Sequence, residues 1–294
     1  MMILPGLVRR FALALVAVLA MGASPVLAEP ALWAIKDKDS TIYLFGTVHV
    51  LKPTTQWRSP RIDKAFRDAD DVVMEIEQPE DPATTRALMM KYGVDPAAPL
   101  STKLKPESYA KLQAAAQGMG FPPQALEPMR PWLAALTVSL TPMLKAGYDP
   151  ESGVEKLLTA QAKAAGKPIA AFETMEQQVR FFADMTPVQE AQLLDSTLDE
   201  VDDGPAKIDA LVAAWAAGDQ GELKRQMVDE MQADYPDVYK LLLVDRNQDW
   251  ANQLKTRLAG SGVSFVAVGA GHLAGPDSLQ AQLAKLGIKA ERVE

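Results

Sequence analysis

The stretch Thr41–Val50, TIYLFGTVHV, decides how this chain is read. It is an apolar run of β-branched and aromatic residues, the kind that packs in a sheet, and it ends in the word Gly46-Thr47-Val48-His49. The chain has 2 histidines in 294 residues, and the second closes the same word. In Phe265–Leu273, FVAVGAGHL, another buried-strand pattern runs into Gly269-Ala270-Gly271-His272. A glycine at a strand end lets the backbone turn with positive φ, or lets a group approach where a side chain would block it. Both histidines are therefore expected at the carboxyl ends of strands, where open α/β sheets bind ligands.

Around these two words the chain alternates in character. Ala31–Ile35 and Thr41–Val48 read as a hairpin across a polar turn, Ser59-Pro60 opens a short helix, and Asp71–Glu77 (DVVMEIE) is a strand carrying Glu75. Residues 82–146 and 184–235 are rich in Ala, Leu, Gln, Lys and Met, with helical patterns over Pro106–Gln117, Pro131–Leu140, Pro187–Asp199 and Pro205–Ala217. Between them lie a helix at Val154–Ala165 and a strand at Ile169–Phe172 that ends in Glu173-Thr174. Two helices over Asp219–Tyr235 and Val238–Leu258 come next, then a strand at Val263–Val268. A helix over Leu279–Leu286 capped by Gly287 and an edge strand at Ile288–Val293 close the chain. The expected fold is α/β (α+β): a central mixed β-sheet flanked by helices, with a large helical insertion between the two sheet halves. One domain spans 29–294, its sheet core drawn from about 29–79, 148–180 and 236–294 and its insertion from 82–146 and 184–235.

Residues 1–28 have the anatomy of a signal peptide: Arg9-Arg10, an apolar Phe11–Met21, and small residues ending at Ala28. That apolar core is short for a membrane span, so no stable span is expected after cleavage, and the mature chain is expected to be periplasmic or secreted. The absence of cysteine excludes disulfides and thiolate metal sites. Removing Arg9 and Arg10 with the leader takes the formal charge from −8 to −10, a poor balance for binding a phosphate backbone, so no nucleic-acid partner is expected. The chain is 48% hydrophobic, enough for a sizeable core.

Two such histidines with one or two carboxylates make a plausible divalent-metal set, and Glu75 and Glu173 are the carboxylates that strand ends deliver beside His49 and His272. Each has a plainer reading. A histidine after a strand is often a hydrogen-bonded structural group, and Glu75, in phase with Glu77, fits the solvated face of an alternating strand. Glu173 is equally explained by N-terminal capping or dipole stabilisation of the helix it precedes, and Arg246-Asn247 by an ordinary solvated helix face.

The order of these words resembles the TraB/GumN (TraB/PrgY/GumN) family, whose relatives include the Tiki-type membrane metalloproteases. The likeness rests on Leu32-Trp33, Ile42–His49, Glu75, Gly153-Val154-Glu155 and Gly166–Ile169. It continues through Phe172-Glu173-Thr174 with Gln177, Trp215 with Gly218-Asp219, Asp245-Arg246-Asn247 with Trp250, and Val268–Leu273 with Gly275. The resemblance implies an α/β core with a helical insertion and a metal site at His49, Glu75 and His272. Glu173 or Glu155 is then base or support, and Arg246 and Asn247 are polar support. A divalent metal is the implied cofactor, with manganese or cobalt favoured by the resemblance and zinc left open by the ligand chemistry, and a peptide or other small molecule is the implied substrate. The expected function is a periplasmic metal-dependent hydrolase, chiefly a peptidase. The alternative is a non-catalytic periplasmic peptide- or saccharide-binding protein on the same fold.

Overall fold

Asp37 starts the first turn by accepting hydrogen bonds on Oδ1 from the amides of Asp39 and Ser40. This turn joins β1 (Leu32–Lys36) to β2 (Ser40–Thr47) as the expected antiparallel hairpin. The computed structural model describes residues 29–77, 82–201 and 203–294, so the leader expected at 1–28 lies outside the described residues. The remaining strands are β3 (Asp71–Ile76), β4 (Ile169–Glu173), β5 (Gly262–Gly269) and β6 (Glu291–Arg292). They form a six-stranded mixed sheet in the order β4-β3-β5-β2-β1-β6. Neighbours from β4 to β2 run parallel, while β1 is antiparallel to both β2 and β6. The carboxyl ends of β4, β3, β5 and β2 therefore form one rim.

Helices cover both faces, as a sheet with a parallel centre requires. In chain order they are α1 (Pro60–Asp68), α2 (Pro82–Gly93), α3 (Pro106–Met119), α4 (Pro131–Lys145), α5 (Val154–Ala164), α6 (Met175–Ala183), α7 (Pro187–Glu200) and α8 (Gly204–Ala216). The last five are α9 (Gln220–Lys224), α10 (Glu230–Asp234), α11 (Pro236–Tyr239), α12 (Asp245–Leu258) and α13 (Leu279–Lys285). On one face Phe45, Phe265 and Met74 meet α1, α5 and Trp215 of α8. On the other, Leu44, Val73 and Val266 meet α12 and α13. The insertion has its own apolar centre, where α3, α4 and α7 meet at Leu112, Ala135, Val138 and Leu194. It is nonetheless tied to the sheet, because the Trp215 indole donates to the Gly46 carbonyl at 2.8 Å.

Three features depart from the periodic reading. The solvated strand face suggested for Glu75 does not exist: β3 lies inside the sheet, and Val73 and Glu75 are both buried. The final edge strand shrinks to two residues, which pair only with Trp33 and Ala34. The two late helices are each interrupted by a π-helical turn, at Arg225–Asp229 and at Lys240–Val244. A pattern with a period of 3.6 residues does not register the wider i→i+5 turn inside an otherwise helical run.

The strand-end glycines are explained by contact, not by positive φ: Gly269 has φ −49°. Closest of all is Gly153, where an added Cβ would sit 2.1 Å from the His49 carbonyl oxygen. This contact, with the Val154 amide donating to Val48 at 3.1 Å, seats the first turn of α5 on the loop that carries His49. Gly153→Ala should therefore lower unfolding free energy by about 1–3 kcal/mol in urea titration. Gly118→Ala, in helix α3 with nothing near the new methyl, should raise it by about 0.5–1 kcal/mol.

Candidate functional site

Strand order brings the polar words together on the rim. His49 follows β2, Glu75 lies in β3, Glu173 ends β4, and His272 follows β5 in a short 3-10 turn. Helix α12 packs across these ends and supplies Arg246, Asn247 and Trp250 from its buried face. Helix α5 brings Glu155 from the other side. The solvated-face reading of Arg246 and Asn247 is thus overturned, since both are buried. Nor does Glu173 cap α6: Thr174 and Gln177 form that capping box, and Glu173 turns inward.

Arg246 is the hub. Its Nη2 donates to Glu75 Oε1 at 2.6 Å and to Glu173 Oε2 at 2.8 Å, while Nε donates to Glu173 Oε1 at 2.9 Å. Its Nη1 donates to the Leu242 carbonyl at 3.1 Å and lies 3.1 Å from His272 Nε2. The Trp250 indole donates to Glu173 Oε1 at 2.9 Å and stands 4.3 Å, centroid to centroid, from the His272 ring. Glu75 is completed by Gln178 Nε2 at 3.1 Å and the Gly269 amide at 2.8 Å.

The network fixes both imidazoles. Asn247 Nδ2 donates to the Asp277 carbonyl at 2.9 Å, so its Oδ1 is the acceptor 2.7 Å from His272 Nδ1. His272 thus carries its proton on Nδ1 and keeps a lone pair on Nε2. Burial holds its pKa at about 3, against the pull of Glu75. His49 Nδ1 lies 2.7 Å from Glu155 Oε1, which also accepts from the Thr47 hydroxyl. The Glu155 charge raises His49 to about 9, although 63% of its side chain faces solvent. Its Nε2 points back over Gly269: an added Cβ there would lie 3.7 Å from His49 Nε2 and 3.3 Å from Glu75 Oε2. Only glycine leaves that space free.

Burial alone would raise Glu75, but His272, Arg246, His49 and the Gly269 amide bring it down to about 2. Burial wins at Glu173, which is raised despite Arg246. The rim therefore gathers three carboxylates around one guanidinium and one imidazolium, an excess of negative charge. Glu155 Oε2 is buried without a hydrogen-bond partner.

The TraB/PrgY/gumN family matches residues 31–292. The chain belongs to that family. No curated protein and no solved structure matches it. Sequence reasoning passed over Gln178, whose amide holds Glu75, and Thr47, whose hydroxyl holds Glu155. Gln178 sits in the glutamine-rich first turns of α6, where only its facing of β3 separates it from its neighbours. Thr47 lies inside the first Gly-x-x-His word, and as the one hydroxyl among the two residues between glycine and histidine it was available as a signal.

Among the described residues no three His, Asp or Glu side chains stand closed around a metal position, and none of the helices is long and apolar enough to cross a membrane. Glu75 Oε1 and His272 Nε2 are 3.9 Å apart, each in contact with Arg246.

Arg246→Met should cost about 3–5 kcal/mol in urea unfolding at pH 7, because it strands two buried carboxylates. The protein should also lose stability on both sides of neutrality. His272 has a folded value far below the ordinary 6.5, so its contribution is complete above that pH and is lost as pH falls towards 3. Glu75 adds to the loss between 4.5 and about 2. His49 has the opposite sign: its contribution is complete below 6.5 and is lost as pH rises through about 9, less steeply because solvent screens the pair. In urea midpoints measured against pH, His272→Gln should flatten the acid limb, and His49→Gln the alkaline one.

Proposed function

We propose that this protein is a divalent-metal-dependent hydrolase that cuts peptides after export to the periplasm. The observation that carries the reading is the shared orientation of the two imidazoles. Each is pinned through Nδ1, by Glu155 or by Asn247, and presents Nε2 towards Glu75. Metal-bound histidines are held in this way by a carboxylate or amide behind them. His49, Glu75 and His272 would hold the ion, and manganese, cobalt or zinc suits imidazole with carboxylate. The excess of carboxylates on the rim favours a cation, and a cation there would take over contacts that Arg246 makes to Glu75 and His272.

When bound, such an ion supplies Lewis acidity for the attack of water on a carbonyl. The chain's own groups do the rest. Asn247 holds the His272 tautomer, Glu155 would hold the Nδ1 proton of His49 once a cation displaced the proton on Nε2, and Glu173 with Trp250 anchors Arg246. Once released from His272, Arg246 Nη1 is the donor placed to steady negative charge on the carbonyl oxygen. Glu173 and Glu155 therefore act as supports in this reading, with no role as base. Export rests on the leader pattern at residues 1–28, and the peptide substrate on the likeness to Tiki-type proteases.

One observation favours the other reading, a non-catalytic peptide- or saccharide-binding protein. Arg246 already satisfies Glu75, Glu173 and His272, which leaves a network that is complete without an ion. The two are separated by loading the mature chain with manganese, cobalt or zinc, desalting, and measuring bound metal beside peptide cleavage by mass spectrometry. Near-stoichiometric metal with cleavage is expected, both lost in folded His49→Ala and both reduced by chelator. Ligand binding with no metal and no product would leave the binding protein.

A further inference from the structure

A cavity of about 190 Å³ lies between α7 and the two π-helical turns. Leu193, Met227, Met231, Val238 and Leu242 give it apolar walls. Of its polar lining, the hydroxyls of Ser196 and Thr197 already donate to the Leu193 carbonyl and the Gln226 amide donates to Glu222, while Tyr235 adds a ring with a phenol edge. Glu230 lies at the lining, and no basic side chain does.

Two of its walls are also walls of the site. The Leu242 carbonyl accepts from Arg246 Nη1 at 3.1 Å, and that nitrogen is the one 3.1 Å from His272 Nε2. On the other side, Met227 Cε lies 3.2 Å from where a Cβ on Gly271 would stand, next to His272 in the chain. Met227 lies in the first π-helical turn and Leu242 in the second. Apolar walls select an apolar occupant, and the thioethers of Met227 and Met231 adapt to its shape. A carboxylate without a basic partner disfavours acidic side chains.

We infer that this cavity is the specificity subsite of the proposed hydrolase, taking one aliphatic or aromatic side chain, of leucine to phenylalanine size, from the substrate peptide beside the scissile bond. The inference rests on the hydrolase reading for its place in a reaction, but the pocket itself is tested without catalysis.

The test pairs cleavage with binding. Metal-loaded protein is given a mixed peptide library, and products are mapped by mass spectrometry. Leu, Met or Phe should be preferred about tenfold or more over Asp at one fixed position from the cut. Thr197→Trp, which fills the cavity from a partly exposed position on α7, should erase that preference. It should leave cleavage of a peptide with Gly at that position within about twofold of wild type, as a change confined to the subsite requires. A folded Thr197→Trp that keeps the preference overturns the inference. Chelated protein carrying ¹³C-methyl methionine is titrated in parallel with a short peptide bearing one central Leu, and with its Asp counterpart. The Leu peptide should shift the Met227 and Met231 methyl signals, the Asp peptide should not, and Thr197→Trp should abolish the shift. If nothing is cut but the methyls respond, the hydrolase reading falls and the pocket stands. If the methyls are silent, the pocket falls, whatever is cut.

Discussion

Arg246 sets the terms for everything at the sheet's carboxyl rim. A single guanidinium from α12 is divided between Glu75 of β3 and Glu173 of β4, with a third edge against His272 after β5. Two buried carboxylates at neighbouring strands would repel each other and resist desolvation, and one planar cation with several donors satisfies both at once. Trp250 and Phe181 flank the guanidinium at 4.8 and 5.2 Å and keep its charge out of water. The long helix is thus locked to the rim by charge as well as by its apolar face.

That lock explains which parts of the site can move and which cannot. His272 is enclosed, with both ring nitrogens engaged and Trp250 against its face. His49 sits at the open mouth, held only through Glu155, which has a second oxygen to spare. The open side of the rim is therefore the His49 side, and the enclosed side the His272 side.

The fold was largely legible because four of the six strands end in a polar word that breaks the apolar run. The hairpin, the proline-started helices and the strand–helix order of the α/β parts follow from local chemistry. What sequence could not supply was depth. Whether Glu75 faced water depended on β3 lying between β4 and β5, a long-range pairing that no alternation pattern encodes. The same holds for Arg246 and Asn247, which look like ordinary surface residues until a helix is laid across four strand ends. The π turns were invisible for a different reason: they preserve helical composition while shifting the face by a fraction of a turn. The strand-end glycines were recognised as special, but the value of Gly46 and Gly269 lies in the room they leave for Ala270 and Glu75 rather than in an unusual φ.

The indole of Trp215 gives the helical insertion a second meaning. It reaches from α8 into the aromatic cluster of Phe45, Trp57 and Phe265, and ends on the carbonyl of Gly46, the first residue of the first histidine word. Insertion and rim are thereby mechanically in series. Anything that draws α8 outward pulls on the strand end that carries His49 three residues later, so in this chain the insertion cannot be re-docked without retuning the mouth of the site.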